Sequence, residues 1–188
     1  MLATPLKTGY DRRMEKLIHY YYGNGKGKTT AAIGLAVRCA GAGYRVYFCQ
    51  FLKGNDTSEL SILRTVPNLS IHRPQKKYPF TRNMTETDRQ EIAMEHSRIL
   101  GEIEEAAASL TEDVRALIIL DEIGKAWSSD LVEKQRVLAL LSHRRAEYVL
   151  TGRDLVPELL ALADYVTEFA AIRHPYQKGI RARLGIEY

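Results

Sequence analysis

Eight residues constrain this chain more than any others: Gly23-Asn-Gly-Lys-Gly-Lys-Thr-Thr30. Lys16-Leu-Ile-His-Tyr-Tyr-Tyr22 before them is β-branched and aromatic and predicts a strand. The Ala-, Ile-, Leu- and Val-rich stretch from about Thr29 to Ala42 after them predicts a helix. A glycine run between strand and helix lets backbone N–H groups turn inward as an anion nest, and a helix starting near Lys28 adds its positive end. Lys28 brings a point charge and Thr29 a hydroxyl suited to Mg²⁺. Gly23, Asn24, Gly25, Lys26, Gly27, Lys28, Thr29 and Thr30 are therefore the candidate phosphate cradle. The usual pattern G-x-x-x-x-G-K-[ST] would place its first glycine at position 22, where Tyr22 stands, so this loop is one residue short. The shortening leaves anion binding intact but removes the ground for assuming an ordinary NTPase's phosphate order. A glycine turn without a ligand is the plainer alternative, and the strand-to-helix placement argues against it.

Downstream, strands and helices alternate. Gly41 and Gly43 can close the first helix, and Tyr44 to Phe51 reads as a second strand, which completes a βαβ unit and predicts a parallel sheet. A weak strand follows at Leu69 to Ile71, then a long helix from about Thr85 to Ser109, opened by the capping-box-like Thr85-Glu-Thr-Asp88. Ala116 to Leu120 is a wholly apolar, buried-type strand. Further elements are expected as a helix near Asp130 to Leu141, a strand at Glu147 to Leu150, a helix from Pro157 to Ala163 and a strand at Tyr165 to Phe169. Lys53 to Met84, with Pro67, Pro74 and Pro79, is the least regular stretch and the candidate substrate-facing segment. The chain has 188 residues, 45% of them hydrophobic, enough for one sizeable core. With no repeat and no linker, one domain over 1–188 is expected, with 1–15 as an N-terminal extension. Its fold should be a three-layer α/β P-loop NTPase fold of RecA-like order, with a mostly parallel sheet flanked by helices.

Other sequence features narrow the context. Charged residues are 27% of the chain and no apolar run approaches the roughly 20 residues of a spanning helix, so no membrane span is expected. Met1 to Lys16 has no hydrophobic region of secretory type, which predicts a cytoplasmic address. A net charge of +4 is small and scattered; it suits an anionic ligand and implies no nucleic-acid partner. Cys39 and Cys49 lack metal-ligand spacing and read as reduced, buried thiols.

Leu117-Ile-Ile-Leu-Asp121-Glu122 is an apolar strand ending in two carboxylates. Carboxyl ends of parallel strands face the ligand crevice, so Asp121 or Glu122 can hold Mg²⁺ directly or through water; a solvated acid at a strand end is the alternative. These residues by themselves indicate a P-loop nucleotide enzyme and nothing narrower.

A narrower reading comes from the phosphate loop through Ala32, Gln50-Phe-Leu-Lys-Gly54, Leu120-Asp-Glu122, Leu150-Thr-Gly-Arg153, Leu162-Ala-Asp-Tyr-Val-Thr-Glu168 and the closing Lys178-Gly-Ile-Arg-Ala-Arg-Leu-Gly-Ile-Glu-Tyr188. Taken in this order, across 16–188, they resemble the CobA/BtuR-type ATP:cob(I)alamin (corrinoid) adenosyltransferase family. The resemblance implies that Co(I) of a corrinoid attacks C5′ of ATP, giving an adenosylcorrinoid such as adenosylcobalamin and releasing triphosphate. It also implies ATP phosphates running in the opposite sense to ordinary P-loop enzymes, an electron donor such as a reduced flavoprotein or flavin, and a homodimer.

Co(I) has no proton to lose, so such a reaction needs no general base, and the five histidines form no base-orienter constellation. The absence of an Asp-x-His-x-x-Gly signature argues against a protein histidine on cobalt. What remains is alignment and neutralisation of the departing triphosphate by Lys28, Lys26, the loop amides and Mg²⁺. Thr29 and Glu122 are the expected metal ligands, with Asp121 beside them. Such enzymes are understood to strip the lower axial ligand from cobalt with an apolar wall, and Tyr78-Pro-Phe-Thr81 lies at the corresponding place. Phe80 is thus a candidate catalytic residue, or else an aromatic that pins the segment to the core. Some relatives carry tryptophan after the Phe-Thr pair, where this chain has Arg82. Arg153 reads as a substrate contact or a structural ion pair. Arg173, His174, Lys178, Arg181 and Arg183 form a basic stretch for the ATP sugar or corrinoid phosphate, or for solvent. His143-Arg-Arg145 reads as dipole-compensating charge at a helix end. Two rival functions are a P-loop kinase of a small metabolite and a non-catalytic ATP-binding subunit.

Overall fold

The computed structural model describes residues 15–54 and 57–187, so the expected N-terminal extension, Glu15 apart, and the final Tyr188 lie outside it. Six strands, β1 Ile18–Tyr22, β2 Arg45–Gln50, β3 Leu69–His72, β4 Ala116–Asp121, β5 Glu147–Thr151 and β6 Tyr165–Glu168, form one sheet in the order β3-β2-β4-β5-β1-β6. Every adjacent pair is parallel. The helices are α1 Lys28–Gly41, α2 Glu59–Leu63, α3 Glu86–Ala108, α4 Ile123–Ser128, α5 Lys134–Ser142 and α6 Pro157–Leu162.

Strand alternation sorts side chains into two cores. Leu117 and Ile119 of β4 face Ala32, Ala36 and Ala40 of α1, whose methyl-sized face lets the helix lie close to the sheet. Ile118 and Leu120 face the opposite way, toward Ile99 and Ile103 of α3 and Val137 and Leu141 of α5. The result is the three-layer, parallel P-loop architecture expected. All six residues of β4 are buried, as its unbroken apolar run requires.

All six expected strands form, and the long helix starts as its sequence predicts. Thr85 Oγ1 accepts from the Asp88 amide at 3.1 Å, and Asp88 Oδ2 accepts from the Thr85 amide at 2.9 Å. The helix expected from Asp130 starts instead at Lys134, because Asp130 has a left-handed φ of 53°. Two short helices, α2 and α4, carry no sequence expectation: five and six residues give too few turns for a hydrophobic period. The irregular segment contains both α2 and β3, and its two arms touch, since a Cβ on Gly54 would lie 1.7 Å from Lys76 O. Cys39 and Cys49 are free thiols, Cys49 buried and Cys39 only partly so. No helix among the described residues is long and apolar enough to cross a membrane.

Sheet order is what positions the site. β5 separates β1, which leads into the glycine loop, from β4, which ends in the two acids. The carboxyl ends of these three neighbours therefore deliver the loop, Thr151 and Asp121 to one edge.

Candidate functional site

The loop closes on the strand next to it. Gly23 (φ 108°) and Gly27 (φ 115°) adopt the conformations that favour glycine. The Gly23 amide donates to Arg153 O at 3.1 Å and the Gly25 amide to Phe169 O at 2.6 Å, so these two donors hold the loop to its neighbours. The amides at the start of α1, which a helix leaves without internal partners, are the remaining candidate anion donors of the loop. A Cβ on Gly25 would stand 2.5 Å from Phe169 O, a second reason for glycine that the sequence alone does not reveal. Lys28 Nζ donates back to Gly23 O at 2.5 Å and Gly25 O at 2.8 Å, so the cation spans the loop. Burial lowers the Lys28 pKa; Arg153 and Lys53 add to the effect, while Glu122 and Asp121 oppose it. Asn24 and Lys26 are exposed on the same loop, and Thr30 is exposed in the first turn of α1.

Asp121 is fully buried and gathers three partners. Its Oδ1 accepts from Thr29 Oγ1 at 2.8 Å and from Thr151 Oγ1 at 2.7 Å, and its Oδ2 accepts from Lys53 Nζ at 2.7 Å. Lys53 Nζ also donates to Thr29 Oγ1 at 3.1 Å. Burial works against the Lys53 ammonium, yet the Asp121 and Glu122 carboxylates outweigh it and hold its pKa above the ordinary lysine value. Glu122 follows in a left-handed turn (φ 65°), its amide donating to Thr151 Oγ1 at 2.8 Å. Burial, then the Asp121 charge, raises the Glu122 pKa, while Lys53, Arg153 and Lys28 pull it down. Gln50, in register with Asp121 at the end of β2, is fully buried, and neither polar atom of its amide has a partner among the described residues.

Other candidates sort by position. Phe80 is 78% exposed with the Arg82 guanidinium 5.9 Å from its ring centre, so it does not pin the segment to the core. Arg153 forms no ion pair among the described residues; its charge is felt by Lys28 and Glu122. From the basic C-terminal stretch, Arg173, His174 and Arg183 line a cleft with Lys26, which brings them back to the loop. Tyr20 is structural, its hydroxyl donating to Asp154 O at 2.6 Å and accepting from the Val156 amide at 3.2 Å. Arg144 does more than compensate a helix dipole: it pairs with Asp164 at 2.6 Å and donates to Lys16 O at 3.0 Å, tying together the segments that lead into β6 and β1.

A sequence profile of the family "ATP:corrinoid adenosyltransferase BtuR/CobO/CobP" matches residues 14–188. The chain belongs to the corrinoid adenosyltransferase family. It is 33% identical to the corrinoid adenosyltransferase of Pseudomonas aeruginosa over 182 residues, 95% of this chain and 85% of that protein. It is 30% identical to the corrinoid adenosyltransferase CobA of Salmonella typhimurium over 179 residues, 92% of this chain and 85% of that protein. Among solved structures, EssC (ATPases 2 and 3) from Geobacillus thermodenitrificans aligns with a TM-score of 0.50 at 17% identity. The alignment covers 91% of this chain but only 35% of that one, a likeness of fold alone.

For a corrinoid adenosyltransferase, the residues that sequence reasoning passed over are Lys53, Thr151, Gln50 and Phe169. Lys53 and Gln50 stand in the Gln50-Phe-Leu-Lys-Gly54 motif and Thr151 in Leu150-Thr-Gly-Arg153, but the residue that makes each notable, Asp121, ends a different strand: Lys53 and Thr151 donate to it, and Gln50 lies in register beside it.

Proposed function

We propose that this protein transfers the 5′-deoxyadenosyl group of ATP to the Co(I) of a corrinoid, with the glycine loop and Lys28 gripping the leaving triphosphate. The observation that carries this is the one-residue-short, lysine-spanned cradle at the end of β1, in a chain similar to corrinoid adenosyltransferases along nearly its whole length. The Co(I) electron pair forms the cobalt–carbon bond at C5′, the C5′–O bond breaks, and its electrons leave on triphosphate. Lys28, Lys26 and the first-turn amides of α1 meet the charge that gathers there. No side chain has to take a proton, because the attacking Co(I) electron pair carries none.

The donor set suits a hard divalent cation. The Thr29 hydroxyl, the Asp121 and Glu122 carboxylates and the unpartnered Gln50 amide converge on one strand end and offer oxygen chemistry. Thr29 and Glu122 would hold Mg²⁺, with Asp121 orienting the threonine. Mg²⁺ bound there supplies further neutralisation of phosphate oxygens.

Phe80, exposed on its loop, serves as the apolar wall against the lower face of the corrinoid, so that a reduced flavin or flavoprotein can deliver the electron that makes Co(I). One domain carries both substrates. Pairing with a second copy suits the edge strand β6, where Tyr165 and Val166 are exposed. Two free thiols suit a reducing compartment, the cytoplasm. The decisive experiment incubates the protein with ATP, Mg²⁺ and chemically reduced cobalamin and identifies the phosphate product. Triphosphate with adenosylcobalamin is expected; ADP, or no turnover, overturns the reading.

A further inference from the structure

Lys53 sits where a metal ion would have to go. Its Nζ lies 3.1 Å from Thr29 Oγ1 and 2.7 Å from Asp121 Oδ2, and these two oxygens are themselves joined by a hydrogen bond of 2.8 Å. We propose that Lys53 is a resident cation of this seat, holding the Thr29 hydroxyl and neutralising the Asp121 and Glu122 carboxylates in place of a divalent metal, so that metal enters only with nucleotide phosphates that draw the ammonium away. The proposal rests on the assignment of Mg²⁺ to this strand end made above.

Electrostatics supply the first reason. Asp121 is fully buried and Glu122 lies beside it, and carboxylates out of water are costly without a positive partner. Lys53 is the cation bonded to Asp121, at a side-chain exposure of 29% against 0% for the acid. A metal arriving alone would have to expel a charge that already satisfies this site. A metal arriving on a polyphosphate brings several anionic oxygens to which the ammonium can move.

Backbone geometry supplies the second. Leu52 is left-handed (φ 63°), and its amide donates to His96 Nε2 at 3.1 Å, while His96 Nδ1 donates to Leu131 O at 2.6 Å. Arg73 Nη2 donates to Lys53 O at 3.0 Å, and Gly54 is clasped against Lys76 O. Residues 52–54 are thus fixed on three sides, which leaves the four-carbon lysine stem as the part that can swing between the acid and a phosphate. Gln50 supplies the third. It lies on the same face of the sheet as Asp121, buried with both amide atoms unpartnered among the described residues, and a hydrated cation in the seat would give that amide its partners.

The test measures the Mn²⁺ retained with the protein on ultrafiltration, which ATP-bound Mn²⁺ free of protein passes, with and without ATP, for the wild type, Lys53→Met, Lys53→Gln and Lys53→Arg. Without nucleotide, the two neutral variants should bind Mn²⁺ roughly tenfold or more tightly than the wild type, and Lys53→Arg as weakly as it. With ATP the order should reverse, because the neutral variants lack the phosphate contact. Either neutral variant, once shown folded by circular dichroism, decides the matter: unchanged or weaker Mn²⁺ binding without ATP overturns the proposal. Should neither fold, the wild type decides it, since Mn²⁺ bound as tightly without ATP as with it also overturns the proposal. The wild type is assayed in parallel with ATP and reduced cobalamin. Triphosphate formation combined with Mn²⁺ binding indifferent to residue 53 sinks this inference alone, whereas no triphosphate sinks the adenosyl-transfer reading.

Discussion

Gly124 and Gly152 pack backbone to backbone where β4 and β5 end: a Cβ on Gly152 would stand 2.8 Å from Gly124 Cα and 3.3 Å from its nitrogen. This contact sets the height of α4 against the end of β5 and thereby the turn that carries Glu122. Gly152→Ala must push the two apart. Overpacking of this kind costs about 1–3 kcal/mol, which a thermal melt should register as a lower Tm. Turnover should fall as well, since Glu122 moves with α4; an unchanged Tm and rate would show that the contact is slack.

Lys28 spans the loop by donating to the carbonyls of Gly23 and Gly25, so it shapes the cradle as well as charging it. Lys28→Ala should cut adenosyl transfer on the order of 10²-fold or more, the scale seen when a donor to developing negative charge is removed. The corrinoid's absorbance change follows the reaction. Near-normal product formation would remove Lys28 from the leaving-group assignment.

Phe80 is exposed, so its truncation should leave the melt unchanged and act on one chemical step only. Starting from Co(II) corrinoid with a reducing flavin, Phe80→Ala should slow adenosylation strongly; starting from pre-reduced Co(I), the loss should be much smaller. Equal rates for variant and wild type from both starting states would count against the wall.

His96 is buried, and burial lowers its pKa to about 4, below the ordinary 6.5. The unfolded chain therefore binds a proton between these values that the folded chain refuses. His96 burial becomes a growing liability as pH falls from about 6.5 to about 4, ending at a cost on the order of 3 kcal/mol, and imposes no such slope above pH 7. Denaturant titrations across this range should show the decline, and His96→Gln should flatten it. A variant whose acid limb matches the wild type would refute the assignment.

The phosphate loop was legible because its signal is local: glycines, Lys28 and Thr29 sit within eight residues, flanked by a strand pattern and a helix pattern that both formed. The acidic end of β4 was legible for the same reason, as was the capping box at Thr85. The short helices α2 and α4 were not, and neither was the start of α5, where one left-handed residue, Asp130, displaced the boundary.

What the chain's sequence determined on its own was the parallel α/β class, the glycine loop between strand and helix and the family likeness, each written in runs of neighbouring residues whose spacing and backbone preferences need no distant partner. Tertiary structure decided who meets whom. Thr29 and Asp121 are 92 positions apart, and Lys53 and Asp121 are 68 apart, so no periodicity links them. Only the placement of β5 between β1 and β4, with β2 on the far side of β4, brings the hydroxyl, the carboxylate and the ammonium together. The same packing made glycine obligatory at 25 by setting Phe169 O against it, and left Phe80 in the open. Such contacts depend on strand order, a property of the whole sheet, and no single segment encodes it.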